Sequence, residues 1–125
     1  MLPIFNHRNK IAGFGARALD DTLPKYINSP ESPIYVKGNL LYGLNFSGEH
    51  IRKLDKIIVV EGYMDVLTLF QQGVRNIVAA SGTSLTTEQV RLIKRLTNNV
   101  VIVFDPDEAG KLASIRGLEL LLDFE

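Results

Sequence analysis

The 125-residue sequence predicts an α/β fold, a central and mostly parallel sheet flanked by helices and preceded by part of a smaller strand-rich α+β subdomain. Three observations carry this. Ile57-Ile58-Val59-Val60 and Val100-Val101-Ile102-Val103-Phe104 are unbroken β-branched and aromatic runs, the pattern of strands buried on both faces of a helix-covered sheet. After residue 56, strand runs alternate with helix-period segments, which argues for parallel strands joined by right-handed crossovers. Before residue 56 the pattern is short strands and Pro-bearing irregular chain. The expected division is 1–50 for the partial basic subdomain and 51–125 for the α/β unit.

Leu2-Pro3-Ile4-Phe5 and Ile11 to Leu19 read as strands of an antiparallel hairpin around the turn-like Asn6-His7-Arg8-Asn9. Gly13 and Gly15 fall on one face of the second strand, where the missing side chains suit a bulge, close packing or a nearby polyanion. Residues 20–45 have no helical period and hold Pro24, Pro30 and Pro33, so they read as irregular. His7 reads as a turn residue, and His50 as a member of a short helix rather than a metal ligand. From residue 57 the expected order is strand 57–60, helix 62–72 closed by Gly73, strand 75–80, helix 87–97, strand 99–104 and helix 108–122. Thr86 and Gln89 have the spacing of a capping box for the second of these helices. In the last one Leu112, Ile115 and Leu118 fall in register on one face.

Hydrophobic residues make up 46% of the chain, enough for a core, and with no Cys neither disulfides nor thiolate metal sites arise. No membrane span or secretion signal is legible, which leads us to expect a cytoplasmic protein. The zero net charge hides an asymmetry. Residues 1–56 carry eight basic and five acidic residues, a net of +3, and residues 57–125 carry six and nine, a net of −3. Such a split suits a basic part that holds polyanion and an acidic part that holds cations, although a solvated surface also produces it.

Each apolar run ends in an acidic motif. Val60 leads into Glu61-Gly62-Tyr63-Met64-Asp65, and Phe104 into Asp105-Pro106-Asp107. Both therefore fall at strand carboxyl ends, the edge where open α/β sheets bind ligands. Two like charges about 4 Å apart repel by about 4 kcal/mol at an effective dielectric near 20, so converging carboxylates call for a cation. Hard oxygens without Cys or clustered His favour Mg²⁺ or Mn²⁺, a setting for phosphoryl or nucleotidyl transfer. Either motif alone also reads as a turn and an acidic helix start. The pair, on two units of one sheet, is what raises the metal reading. Asp65, one turn beyond Glu61, reads either as a helix-surface acid or as a further member of the acidic patch.

Glu61 to Val66, the Gly82-Thr83-Ser84 loop and Phe104 to Gly110 resemble the Toprim domain, the metal-binding module shared by primases, some topoisomerases and some nucleases. The upstream Gly13-Phe14-Gly15-Ala16-Arg17, Pro24 to Glu31, Lys37 and Leu41-Tyr42-Gly43-Leu44 resemble the RNA-polymerase core of bacterial replicative DNA primases. The resemblance implies a Toprim fold and synthesis of RNA primers on a single-stranded DNA template from ribonucleoside triphosphates. It implies catalytic and metal-binding roles for Glu61, Asp105 and Asp107, with Asp65 in the same acidic patch, and template or nucleotide binding by Arg17, Lys25, Asn28 and Lys37. It implies Mg²⁺ or Mn²⁺ here, zinc only in a separate domain, and a replicative helicase reached through a C-terminal domain not in this sequence.

Two departures stand out. Pro106 occupies a position that is commonly Gly in these primases and is expected to start the next helix. Further acidic residues of the family lie beyond residue 125, so the resemblance implies an incomplete acid set. Two alternatives stay open: a Toprim nuclease or topoisomerase fragment, for which Tyr63 is a poor nucleophile candidate, and a non-catalytic Mg²⁺-dependent polyphosphate-binding module. The loop Ser81 to Ser84 reads first as turn and helix cap and second as a phosphate contact.

Overall fold

The computed structural model describes residues 2–5, 10–17, 26–28, 37–80 and 85–122. Two three-stranded sheets organise them. In the first, β1 (Leu2–Phe5), β2 (Ile11–Arg17) and β3 (Tyr26–Asn28) pair antiparallel in that order, with Leu2 opposite Gly15 and Ile4 opposite Gly13. The expected hairpin strands are present, while its turn lies outside the described residues. β3 forms within residues 20–45, where the sequence predicts irregular chain. A 3-10 turn, Lys37–Asn39, then leads towards α1 (Leu44–Leu54), which places His50 on a helix as expected.

The second sheet is parallel, in the order β5 (Ile77–Ala79), β4 (Ile57–Val60), β6 (Val100–Val103). β4 is central because its β-branched side chains have apolar partners on both sides. Val60 joins Ile4, Tyr42, Val66, Ile77 and Ala79 in one core, and Ile57 and Val59 join Ile51, Val78, Val90, Ile93 and Leu121 in the other. Each fully buried Val or Ile contributes about 1.5–3 kcal/mol relative to exposure. Helix α2 (Tyr63–Gln71) covers the first face, and α3 (Thr87–Lys94) with α4 (Glu108–Leu122) covers the second. Among the described residues no helix is long and apolar enough to cross a membrane.

Local chemistry sets the helix ends. Gly73, at φ 98°, closes α2: Val74 N–H donates to Leu69 O at 3.0 Å and Gly73 N–H to Phe70 O at 3.2 Å, a left-handed cap that an L side chain disfavours. Thr86 Oγ1 accepts from Gln89 N at 3.2 Å while Gln89 Oε1 accepts from Thr86 N at 3.1 Å, so the expected capping box forms.

One packing expectation is overturned: the sequence predicts β6 buried on both faces, yet Val101 is 41% and Val103 54% exposed. The register aligns them with Ile58 and Val60, on the α2 side, and α2 packs chiefly over β5 and β4. On α4, the stripe Leu112, Ile115 and Leu118 is more than half exposed. The helix docks instead through Gly110, Gly117 and Leu121, because a Cβ at Gly117 would lie 3.2 Å from Ile102 Cδ1 and that close approach fixes which side faces the sheet. Pro106 also does not begin the helix. α4 starts at Glu108, with Asp107 as its cap and Pro106 just before it.

Candidate metal centre

The loops that follow β4 and β6 leave neighbouring strands for opposite faces of the sheet, one into α2 and the other into α4. Divergence of this kind opens a crevice at the carboxyl edge, the usual ligand site of an open parallel sheet. Glu61 and Asp105 stand there. Register places Val60 beside Val103, so both acidic loops emerge at the same level.

Glu61 is partly buried and turns its carboxylate across the crevice, where Oε1 accepts from the Asp105 backbone N–H at 2.8 Å. The bond ties together residues 44 positions apart. Asp107 Oδ1 accepts from Gly110 N–H at 2.7 Å and its carbonyl accepts from Lys111 N–H at 3.0 Å, which makes it the N-cap of α4. The exposed carboxylate of Asp105 has no hydrogen-bond or ion-pair partner among the described residues. Asp65 lies in the first turn of α2, and its Oδ2 is 3.5 Å from the point a Gly62 Cβ would occupy, so the side chain folds back towards the strand end.

Gly110 ends the Phe104 to Gly110 motif, and the sequence alone does not single it out as a site residue. A Cβ there would lie 1.9 Å from Asp105 O and 2.9 Å from Asp105 C, so α4 and the acidic loop touch where no side chain fits. The Phe104-Asp105-Pro106-Asp107 turn is therefore held between Glu61 on one side and Gly110 on the other. The motif spacing was the only available signal, since the contact depends on the turn's three-dimensional path.

As donors the acids suit a hard divalent cation: all are carboxylate oxygens, Glu61 and Asp107 each have one oxygen engaged, and Asp105 has neither. The carboxylates are not closed into a cage, however, and among the described residues no group of three His, Cys, Asp or Glu is arranged to hold a metal. Tyr63 is 4% exposed, its ring 5.5 Å from that of Tyr42, so it is packed into the core. His50 stacks edge-on against Phe70, with ring centroids 6.2 Å apart.

Of the basic candidates, Arg17 ends β2 opposite Tyr26, Asn28 ends β3 opposite Gly15, and Lys37 begins the 3-10 turn. Lys25 and the loop Ser81 to Ser84 lie outside the described residues.

Comparison with known proteins matches residues 55–125 to the Toprim domain and residues 1–47 to the N-terminal domain of the DNA primase catalytic core. The DNA primase of Clostridium acetobutylicum is 50% identical over 121 residues, 97% of this chain and 20% of that protein. A solved DnaG catalytic core superposes with a TM-score of 0.90 at 44% identity, covering 98% of this chain and 40% of the other. A DnaG primase catalytic domain bound to single-stranded DNA gives a TM-score of 0.89 at 43% identity, covering 98% and 39%. The chain thus spans about a fifth of the length of the full-length primases it matches.

Proposed function

Because this chain belongs to the Toprim family, within the bacterial DNA primases, we propose that it supplies part of the catalytic centre for RNA primer synthesis on a single-stranded DNA template. The observation that carries the proposal is the Glu61–Asp105 bond, which draws two acidic loops to one sheet edge. Glu61, Asp105 and Asp107 would hold Mg²⁺ or Mn²⁺, with Asp65 adjacent. The bound ions would lower the pKa of an attacking 3′-hydroxyl and stabilise charge on the leaving pyrophosphate.

The chain's own residues orient and neutralise. Glu61 holds the Asp105 amide, which fixes the loop against β4, and Gly110 supports it from behind. Asp107 anchors the first turn of α4 with one oxygen and keeps the other available. Arg17, Lys25, Asn28 and Lys37 would contact template or nucleotide, Arg through a two-donor fork and Lys as a point charge. In-line nucleotidyl transfer needs little covalent work from side chains, so positioning and charge are what the protein must supply. Ribonucleoside triphosphates, the RNA primer and a replicative helicase complete the proposed setting. The buried Tyr63 argues against a nucleophilic tyrosine and so against the topoisomerase alternative.

The test is a chimera in which this chain replaces the matching segment of the Clostridium acetobutylicum primase. Ribonucleotide incorporation on single-stranded DNA, lost with Asp105→Ala, is the expected result. Nicking of the DNA would point to a nuclease, and polyphosphate binding without synthesis to a non-catalytic module.

A further inference from the structure

The segment from Gly38 to Tyr42 joins the basic part of the chain to the parallel sheet. A capping box needs only the acceptors of its two side chains, Thr86 Oγ1 and Gln89 Oε1. Here the remaining donors are used as well. Thr86 Oγ1 donates to Gly38 O, and Gln89 Nε2 donates to Leu40 O at 2.7 Å and to Ala80 O at 3.4 Å. The bonds to Gly38 and Leu40 reach 48 and 49 residues back along the chain. Gln89 is 0% exposed, so an amide donor left unpaired there costs its desolvation. Contact is close at Gly38 too, where a Cβ would lie 3.2 Å from Thr86 Cγ2. Beyond Leu41, Tyr42 and Ala79 exchange N–H···O bonds of 2.9 and 3.0 Å.

The place matters for function. Ala80 follows β5 directly and α3 starts at the same carboxyl edge of the sheet that carries Glu61 and Asp105. Lys37 is bonded through the chain to Gly38, the first residue of the clamp.

We propose that Thr86 and Gln89 are positioning residues that fix Lys37 at the acidic edge, so that a nucleic-acid phosphate bound by Lys37 is held in register with Glu61 and Asp105. The inference rests on the proposed role of Lys37 as a phosphate contact. The test is a double-mutant cycle on the salt dependence of binding between this chain and a fluorescein-labelled single-stranded oligodeoxynucleotide, with circular dichroism to confirm folding.

One phosphate contact contributes about 0.7 to the slope of log K against log salt for a single strand. Lys37→Ala is expected to lower the slope magnitude by about that amount, Gln89→Leu by a similar amount, and the pair by no more than either alone. Additive losses, or a folded Gln89→Leu chain with the wild-type slope alongside a reduced slope for Lys37→Ala, would overturn the positioning role and leave the proposed function intact. An unchanged slope for Lys37→Ala would remove the phosphate role of Lys37 and the inference with it. Should Gln89→Leu fail to fold, Thr86→Ser keeps the hydroxyl and should match wild type, while Thr86→Val should lose slope. Equal behaviour of those two variants would also overturn the proposal.

Discussion

Replacing Gly110 by Ala tests the acidic turn from behind. In an ordinary helix position the exchange stabilises by about 1 kcal/mol, since Gly is the poorer helix former. Here the sign should reverse. Side-chain carbons essentially never approach other atoms closer than 3.0 Å, yet the added Cβ would sit 1.9 Å from Asp105 O, so helix and loop must separate by the difference, 1.1 Å. Neither can yield cheaply, because the atoms met are backbone and Asp105 N–H is already held by Glu61 Oε1 at 2.8 Å. Overpacking of this kind costs about 1–3 kcal/mol, which in a domain of this size lowers Tm by roughly 3–12 °C. A shift of about 1 Å in a catalytic loop can also reduce turnover about 100-fold. Urea unfolding of the chain and primer synthesis by the chimera would measure the two effects. A Gly110→Ala chain as stable as wild type, or more stable, would refute the claim that α4 and the turn meet without room for a side chain.

Three further outcomes are expected. Mg²⁺ or Mn²⁺ should raise the Tm of the wild-type chain, by an amount equivalent to about 2.7 kcal/mol at a hundredfold excess over Kd, and the combined Asp105→Asn and Asp107→Asn variant should melt at one temperature with or without the ion. Burial raises the Tyr42 phenol above its ordinary value of 10.0, so its contribution to stability is fully present below pH 10 and declines as pH rises through the folded value; alkaline unfolding should therefore be shallower in Tyr42→Phe. Ser47 is 0% exposed on α1 and its Oγ has no hydrogen-bond partner among the described residues, so Ser47→Ala should stabilise by about 1 kcal/mol in chemical denaturation.

The elements legible in the sequence were those set by local chemistry. β4 announced itself because four consecutive β-branched residues suit a two-sided burial, and the start of α3 because Thr86 and Gln89 satisfy each other within one turn. Convergence of Glu61 with the Asp105 turn was legible too, since both acids end strands of one sheet. What depended on tertiary neighbours was not. The apolar run of β6 matches that of β4 in composition, but only strand order says that one is central and the other an edge. The stripe on α4 has ideal spacing, and glycine contacts turned it outward. Of helix α1 only a short helix around His50 was legible, because Gly43, its N-cap, has no side chain with which to signal a start, and only Ser47 and Ile51 of its residues are buried.

The bond between Glu61 and Asp105 gives one carboxylate two duties. Oε1 latches the neighbouring turn through its amide, and the second oxygen is left for a cation. Latch and charge are therefore separable: Glu61→Gln keeps an acceptor for the amide while giving up the negative charge, so the turn should hold its path even where the ion is lost.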